Sequence, residues 1–318
     1  MTRLDSREPL PHALRGAIVA LGNFDGFHRG HQAVVGEAVR WARAEGRPAI
    51  VATFDPHPKR FFVPDAPWFR LTTLDQREAL FAAAGAAAML VIHFDAAVAQ
   101  LTGPEWAEAM LVGRLGVAGV VTGEDFTFGR GRSGTAALLA EIGASHGFGA
   151  RTVGAVLDAG QPVSSTRIRA ALEAGDCATA TRLLTRPFTV RGAVQHGDKL
   201  GRTIGFPTAN VAMDHYLRPR YGIYAVRGRL PDGRVLGGAA NLGVRPSFDP
   251  PKELLEPHFF DFAEDLYGQV IDVEFHAFLR PEARYDGLDA LTAAIAADCH
   301  RARAVLRGEG RPDTTASS

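Results

Sequence analysis

The chain has 318 residues, 46% of them apolar and 22% charged, a balance that suits a globular protein long enough for two cores of ordinary size. Its 35 Lys and Arg offset 35 Asp and Glu, and the balance is even on both sides of Leu184, which argues against an electrostatic nucleic-acid binder. Only Cys177 and Cys299 are present, far apart and without metal-ligand spacing, so neither a disulfide framework nor a zinc site is expected, and a reducing cytoplasm is.

The N-terminus, MTRLDSREPLPH, lacks the apolar stretch of an export signal, and the longest apolar run, Phe81 to Ile92, falls short of the roughly 20 residues that span a bilayer. A soluble, non-exported protein with no membrane partner is expected. Ala17 to Leu21 reads as a buried strand, and Val34, Val35, Ala38, Val39 and Trp41 have helical spacing. Between them lies GNFDGFHRGH, a tight turn in which Gly22 and Gly26 let the backbone approach a ligand. A helix starting there points free N–H groups and its positive dipole end at an anion above the strand, and phosphate is the natural occupant. His28 and His31 lie three apart with Gly30 between them, so in a first helical turn both imidazoles face that anion. The HxGH pattern alone is equally compatible with two surface histidines; Asn23, Asp25 and the preceding strand favour the site.

Ala49 to Phe54 is a second buried strand ending in DPHP, Leu74 to Ala84 is helical, Ala88 to Phe94 is a strand, and Pro104 opens a helix to about Gly113. Gly119 to Thr122 is a strand leading into GEDFTFGRGRSG, followed by a helix from Ala136 to His146 and a strand from Ala150 to Val156. Alternating helices and near-continuous apolar strands predict a parallel, doubly wound sheet whose ligands bind at the strands' C-terminal ends, where the Gly-, His- and Asp-rich loops fall. Ser164, Ser165 and Thr166 then cap a further helix carrying Arg167 and Arg169 in its first turn. Cations at a helix N-terminus are disfavoured without an anion, so the pair suggests a phosphate shared with the His31 helix; two solvated arginines are the alternative.

Thr185 to Pro187 is the expected joint. Beyond it come period-two runs at Thr189 to Val194, Ile223 to Leu230, Val235 to Leu242 and Val270 to Phe278, which predict a small antiparallel barrel. A helix over Leu288 to Leu306 should pack against it, with a frayed tail from Arg307. GDKLGRTIGFPTAN is a flexible glycine loop after which Thr208 and Asn210 share one face, suiting a hard cation that carries nucleotide phosphates, or forming an ordinary hairpin. Glu256 stands just before an apolar run, and Pro257 biases it toward extended backbone, making it a held carboxylate.

Together these stretches resemble the bacterial bifunctional riboflavin kinase/FMN adenylyltransferase family over roughly Gly16 to Arg303. GNFDGFHRGH, TFDPHP, GEDFTFG and SSTRIR are similar to its adenylyltransferase half; GRTIGFPTAN, NLGVRPSF, LEPHFFDF, DLYG and DCHRAR are similar to its kinase half. The resemblance implies α/β plus all-β architecture, a Rossmann-like nucleotidyltransferase domain over residues 1–184 and a six-stranded antiparallel β-barrel with a C-terminal helix over 185–318. It implies ATP, riboflavin and FMN as substrates, Mg2+ as cofactor, and leaves a homo-oligomer open. It also implies catalysis by Glu256, His28, His31 and Arg167. Nucleotide contacts would come from Gly22, Asn23, Phe24, Asp25, Gly26, Asp125, Ser164, Ser165 and Thr166 in the first half, and Gly201, Gly205, Pro207, Thr208 and Asn210 in the second, with Thr208 and Asn210 on the metal. Flavin contacts would come from Phe54, Pro56, Pro58, Phe126 and Phe128. Two other readings compete: an HxGH adenylyltransferase for a different phosphate with an unrelated barrel behind it, and a barrel that binds flavin as a sensor. GFPTAN and LEPHFFDF weigh against the first, and the presence of Glu256, Thr208 and Asn210 against the second.

Overall fold

A computed structural model of the chain describes residues 1–196, 204–245 and 252–308. Contacts gather into two compact units, one of Met1–Pro67 with Thr73–Ser164 and one of Trp68–Thr72 with Ser165–Ser318.

The first unit is built on six parallel strands: β1 (Thr2–Asp5), β2 (Ile18–Leu21), β3 (Ala49–Asp55), β4 (Ala88–His93), β5 (Gly119–Gly123) and, after two short pieces β6 (Thr127–Phe128) and β7 (Gly134–Thr135), β8 (Gly149–Val153). Their order is β1-β4-β3-β2-β5-β8. The strands are apolar along their length because both faces are covered. Val19, Leu21, Ile50, Ala52 and Leu90 point into one core with Trp106 and Leu111, whereas Ile18, Ala20, Val51 and Met89 point into the other with Val35, Ala38, Trp41 and Phe81. The helices are α1 (Arg29–Ala44), α2 (Pro58–Phe62), α3 (Leu74–Ala83), α4 (Ala96–Gln100), α5 (Gly103–Trp106) and α6 (Ala136–His146). The helix expected from Pro104 to about Gly113 instead widens after α5 into a π-helical run, Ala107–Leu115, closed by Gly116 in the left-handed conformation. Strand order reverses at β2, with β3 on one side and β5 on the other. The crevice such a reversal opens lies between the loops that follow β2 and β5, and these are GNFDGFH and GEDFTF.

The second unit is a closed antiparallel barrel of β11 (Phe188–Gln195), β12 (Asn210–Ala212), β13 (Gly222–Arg229), β14 (Val235–Arg245), β15 (Lys252–Phe259) and β16 (Val270–Arg280), a numbering that leaves β9 (Leu157–Asp158) and β10 (Gln161–Pro162) to a hairpin in the first unit. Val190, Val194, Val211, Tyr224, Val226, Leu242, Leu255 and Phe275 fill its buried interior, alternating with outward residues. Two helices precede the barrel, α7 (Ser165–Ala174) and α8 (Cys177–Leu184), and one follows it, α9 (Leu288–Leu306). The last lays Cys299, Ala302 and Ile295 on Ala225, Ala239 and Ala277 of the barrel's outer surface. Buried Asp298 fastens it there, accepting from Arg280 Nη2 at 2.6 Å and Nε at 3.0 Å. The two preceding helices also pack with the barrel: Leu172 O accepts from Arg220 N, and Gly175 closes on the Phe278 ring.

One expectation changes here. Glu256 does not precede a strand but sits inside β15, opposite Asn241, and Pro257 continues the same strand opposite Ala240. Pro257 still binds its other neighbour through its carbonyl, which accepts from Ala209 N at 2.9 Å.

Candidate functional site

The turn after β2 is built from left-handed backbone. Phe24, Gly26 and Phe27 have φ of 48°, 86° and 45°, values that two bulky residues adopt only where the surroundings impose them. Packing imposes them here: the Phe24 ring, 1% exposed, lies under Gly22 and meets Phe81 edge-on, and Phe27 meets Phe81 as well. Phe24, expected among the nucleotide contacts, is therefore a core side chain, and only its backbone can face a ligand.

His28 is the N-cap of α1, its Nδ1 accepting the His31 N–H at 3.4 Å. That bond places the accepting nitrogen on the helix and leaves Nε2 to carry the proton. The His28 and His31 rings stack with centroids 3.6 Å apart, so they face one way, as the spacing predicts. Gly30 makes the stack possible, since a Cβ there would press on the His28 ring at 3.2 Å. Asp25, 4% exposed, shares the turn, and Asn23 Oδ1 is buried with no hydrogen-bond partner. A buried acceptor without a donor fits a ligand that brings one.

The residue that holds this turn belongs to no motif. Arg77 of α3 is 4% exposed; its Nη1 donates to Thr53 Oγ1 at 2.9 Å and to Asn23 O at 3.4 Å, while Thr53 Oγ1 donates to Asn23 O at 2.7 Å. Its Nη2 lies 3.8 Å from Asp55. The guanidinium thus ties the ends of β2 and β3. Arg77→Met is expected to destabilise the first unit by about 2–3 kcal/mol, the scale of charge-assisted buried bonds, and to slow FAD formation while leaving FMN formation near normal. Urea unfolding alongside both rates checks this.

The aromatic residues rearrange the expected flavin contacts. Phe54 and Phe128 are both 6% exposed and belong to the core, packed on Trp106, so neither is free to cover an isoalloxazine ring. Phe126, half-buried, stacks on Phe128 at 5.8 Å. Pro58 begins α2, whose N-cap His57 follows Pro56, and from there a chain of rings runs Phe54, Phe94, Phe61, Phe62 to the surface, where Phe62 is 63% exposed. Asp125 is exposed beyond β5, and Ser164 is half-buried at the end of the first unit. Ser165, Thr166 and Arg167 open α7 in the second. Arg169, expected on a phosphate beside Arg167, is committed elsewhere: its Nε donates to Phe69 O at 2.8 Å and its guanidinium lies over the Phe69 ring.

On the barrel, the register gathers the second cluster. Val211 pairs with Leu255 and Ala209 bonds Pro257, which sets Asn210 opposite Glu256; Glu256 in turn pairs with Asn241. Asn210, Glu256 and Asn241 therefore form one row across three strands, on the outer face because Val211, Leu255 and Leu242 point inward. The same register carries Thr208, half-buried, to the position opposite His258, whose Nδ1 lies 2.8 Å from Pro207 O. Gly205 has φ of 84°, and Gly201 lies outside the described residues. Glu282, just past β16, accepts from Asn241 Nδ2 at 3.2 Å and closes over Gly243. Among the described residues there is no cluster of three His, Cys, Asp or Glu that could hold a metal. A hydroxyl and an amide oxygen instead suit a hard ion held largely by phosphates and water. Burial pushes the Cys177 thiol up to about 12 and the Cys299 thiol to about 11, so neither offers a thiolate.

A family model described as FAD synthetase matches residues 10–167, and one described as riboflavin kinase matches 184–306. A bifunctional riboflavin kinase/FMN adenylyltransferase of Pseudomonas fluorescens is 41% identical over 92% of this chain and 93% of its own. The chain belongs to this family. The Escherichia coli K12 member is 39% identical over 89% of this chain and 90% of its own, and that of Bacillus subtilis 35% over 89% and 90%. A solved structure described as a macrolide-efflux protein from Streptococcus pneumoniae has the same fold, with a TM-score of 0.85 and 30% identity over 95% of this chain and 99% of that one. No helix of the family member described here, among its described residues, is long and apolar enough to cross a membrane.

Proposed function

We propose that the barrel transfers the γ-phosphoryl group of ATP to riboflavin, and that the parallel-sheet unit joins the AMP part of a second ATP to the FMN so made. The chain is a riboflavin kinase and FMN adenylyltransferase. The observation that carries the division of labour is the row Asn210, Glu256, Asn241 on the barrel, set against the phosphate-binding turn at His28. A ribityl primary alcohol is a poor nucleophile at neutral pH, so the kinase needs a base. Glu256 takes the hydroxyl proton as the new O–P bond forms and ADP leaves. Thr208 and Asn210 would hold Mg2+, which would supply neutralising charge to the ATP phosphates there.

FMN's phosphate has a second pKa near 6 and needs no base. The adenylyltransferase offers charge stabilisation instead: His28 and His31 donate to ATP's phosphates as FMN oxygen attacks the α-phosphorus and pyrophosphate departs, with Arg167 as a further cation. Gly22, Asn23, Asp25 and Gly26 cradle the nucleotide. Phe62, Phe126 and the Pro56–Pro58 corner are the accessible apolar groups for the flavin ring. The enzyme works in the cytoplasm on small molecules, without nucleic acid or membrane. Endpoint chromatography of riboflavin with ATP and Mg2+ tests the assignment: FMN followed by FAD supports it, FMN alone or an unchanged flavin refutes one or both halves.

The functional boundary lies at 184/185, yet α7 and α8 bury Ile168, Leu172, Cys177, Ala180, Leu183 and Leu184. A fragment from Ser165 is thus expected to make FMN but no FAD and to melt well above one from Thr185, because the shorter piece uncovers the barrel surface those helices protect. Equal melting points would show that the two helices add nothing to the barrel.

A further inference from the structure

Asn241 was singled out by neither its residue type nor its strand, and its amide is set in one orientation. Glu282 is a carboxylate and can only accept, so it must face the Nδ2 donors of Asn241, which it does at 3.2 Å. Oδ1 then points the other way, and it is buried with no hydrogen-bond partner. Two further features hold the arrangement. Gly243, two residues along the same outward face, lacks the Cβ that would displace the Glu282 carboxylate, and the Arg280 fork on buried Asp298 anchors the end of β16 from which Glu282 follows. The neighbour of Asn241 across the strands is Glu256, the proposed base.

We propose that Asn241 Oδ1 receives a hydrogen bond from a hydroxyl of riboflavin's ribityl chain, and that Glu282 is the positioning residue that keeps this acceptor aimed. The inference rests on the assignment of Glu256 to the kinase reaction. A buried acceptor lacking a donor costs stability that a bound polyol recovers. The ribityl hydroxyls are donors, and the terminal one must lie within hydrogen-bond reach of Glu256, one register position from Asn241, so the polyol is the part of the substrate brought to Oδ1. The isoalloxazine ring's own donor, N3–H, lies on the far side of the pyrimidine ring from the ribityl-bearing N10 and is kept in lumiflavin, so a contact made beside Glu256 distinguishes riboflavin from lumiflavin. It acts in substrate binding, where the hydroxyl is present before reaction, and so it should appear in KM more than in kcat.

The test uses the full chain, counting FMN plus FAD as kinase product. KM for riboflavin is compared with Ki for lumiflavin, which has a methyl group in place of the ribityl chain and competes for the same site. Asn241→Leu keeps the shape and removes the acceptor. Riboflavin KM is expected to rise about 3- to 10-fold, the range of one neutral hydrogen bond, with kcat and the lumiflavin Ki within about twofold. Glu282→Gln, at an exposed side chain, should move the same ratio in the same direction, because an amide no longer forces the Asn241 orientation. If Asn241→Leu fails to fold, the Gln variant alone decides. An unchanged ratio of riboflavin KM to lumiflavin Ki overturns the proposal, as does a shift in Mg2+ dependence without one in riboflavin KM, which would place a cation on Oδ1 instead. Loss of the kinase assignment reads differently: Glu256→Gln would then phosphorylate riboflavin normally whatever the Asn241 variants do.

Discussion

Replacing His28 and His31 together by alanine is expected to lower FAD formation from supplied FMN by 10³-fold or more, while riboflavin phosphorylation stays near normal. Loss of one donor aimed at developing charge costs roughly 10²- to 10³-fold, and here two go. The structure adds a complication that the sequence did not show. His28 is also the N-cap of α1, so His28→Ala removes the acceptor for His31 N–H and costs about 1 kcal/mol of local stability. His28→Ser separates the two roles, because a serine hydroxyl restores the cap without the imidazole. Its melting point should return toward that of the parent while FAD formation stays low. Recovery of FAD formation with the cap would make His28 a structural residue and leave the phosphates to His31 alone; equal loss of both activities in a folded double variant would break the assignment to one half-reaction.

The parts of this molecule that sequence could announce are those where local chemistry and tertiary packing demand the same thing. Val19 to Leu21 must be apolar on both faces because helices cover both, and that is visible as a run; the turn after it needs glycines because Gly22 closes on Phe24 and Gly30 on His28, and that is visible as spacing. What misled was the assumption that a residue's type names its environment. Phe54 and Phe128 read as rings for a flavin, but an aromatic beside a glycine loop is as useful under the loop as over it, and both rings pack on Trp106 in the core. Arg169 errs in the same direction, reading as a phosphate ligand while its guanidinium goes to Phe69, and Arg77, which no motif marks, is a buried clamp on Thr53 and Asn23. The barrel cluster was half legible. Thr208, Asn210 and Glu256 carry recognisable chemistry, but Asn241 enters only through the pairing of β14 with β15, a register that no local pattern encodes.

Register also strengthens the expectation for Glu256. Its carboxylate is held not by the restriction Pro257 imposes at a strand start but by a place in the middle of β15, between Asn210 on one neighbour and Asn241 on the other. A base so placed has little freedom to be replaced by a nearby group. Asn210 and Asn241 carry amides that accept no proton near neutral pH, and Glu282 is one step further across, engaged with Asn241. Glu256→Gln keeps the shape and the hydrogen-bonding length and removes the proton acceptor, so phosphorylation is expected to fall by roughly 10²- to 10⁴-fold, the contribution usual for general-base catalysis. FAD formation from supplied FMN should be unchanged, since that nucleophile is already ionised. Riboflavin KM should move little, because the lost interaction belongs to the transition state. The sharper comparison is with Asn241→Leu, for which the same geometry predicts the converse pattern, a raised KM with kcat preserved. Near-normal FMN production by Glu256→Gln would mean that alignment of ATP beside Thr208 and Asn210 suffices for the transfer, and Glu256 would then orient the hydroxyl without accepting its proton.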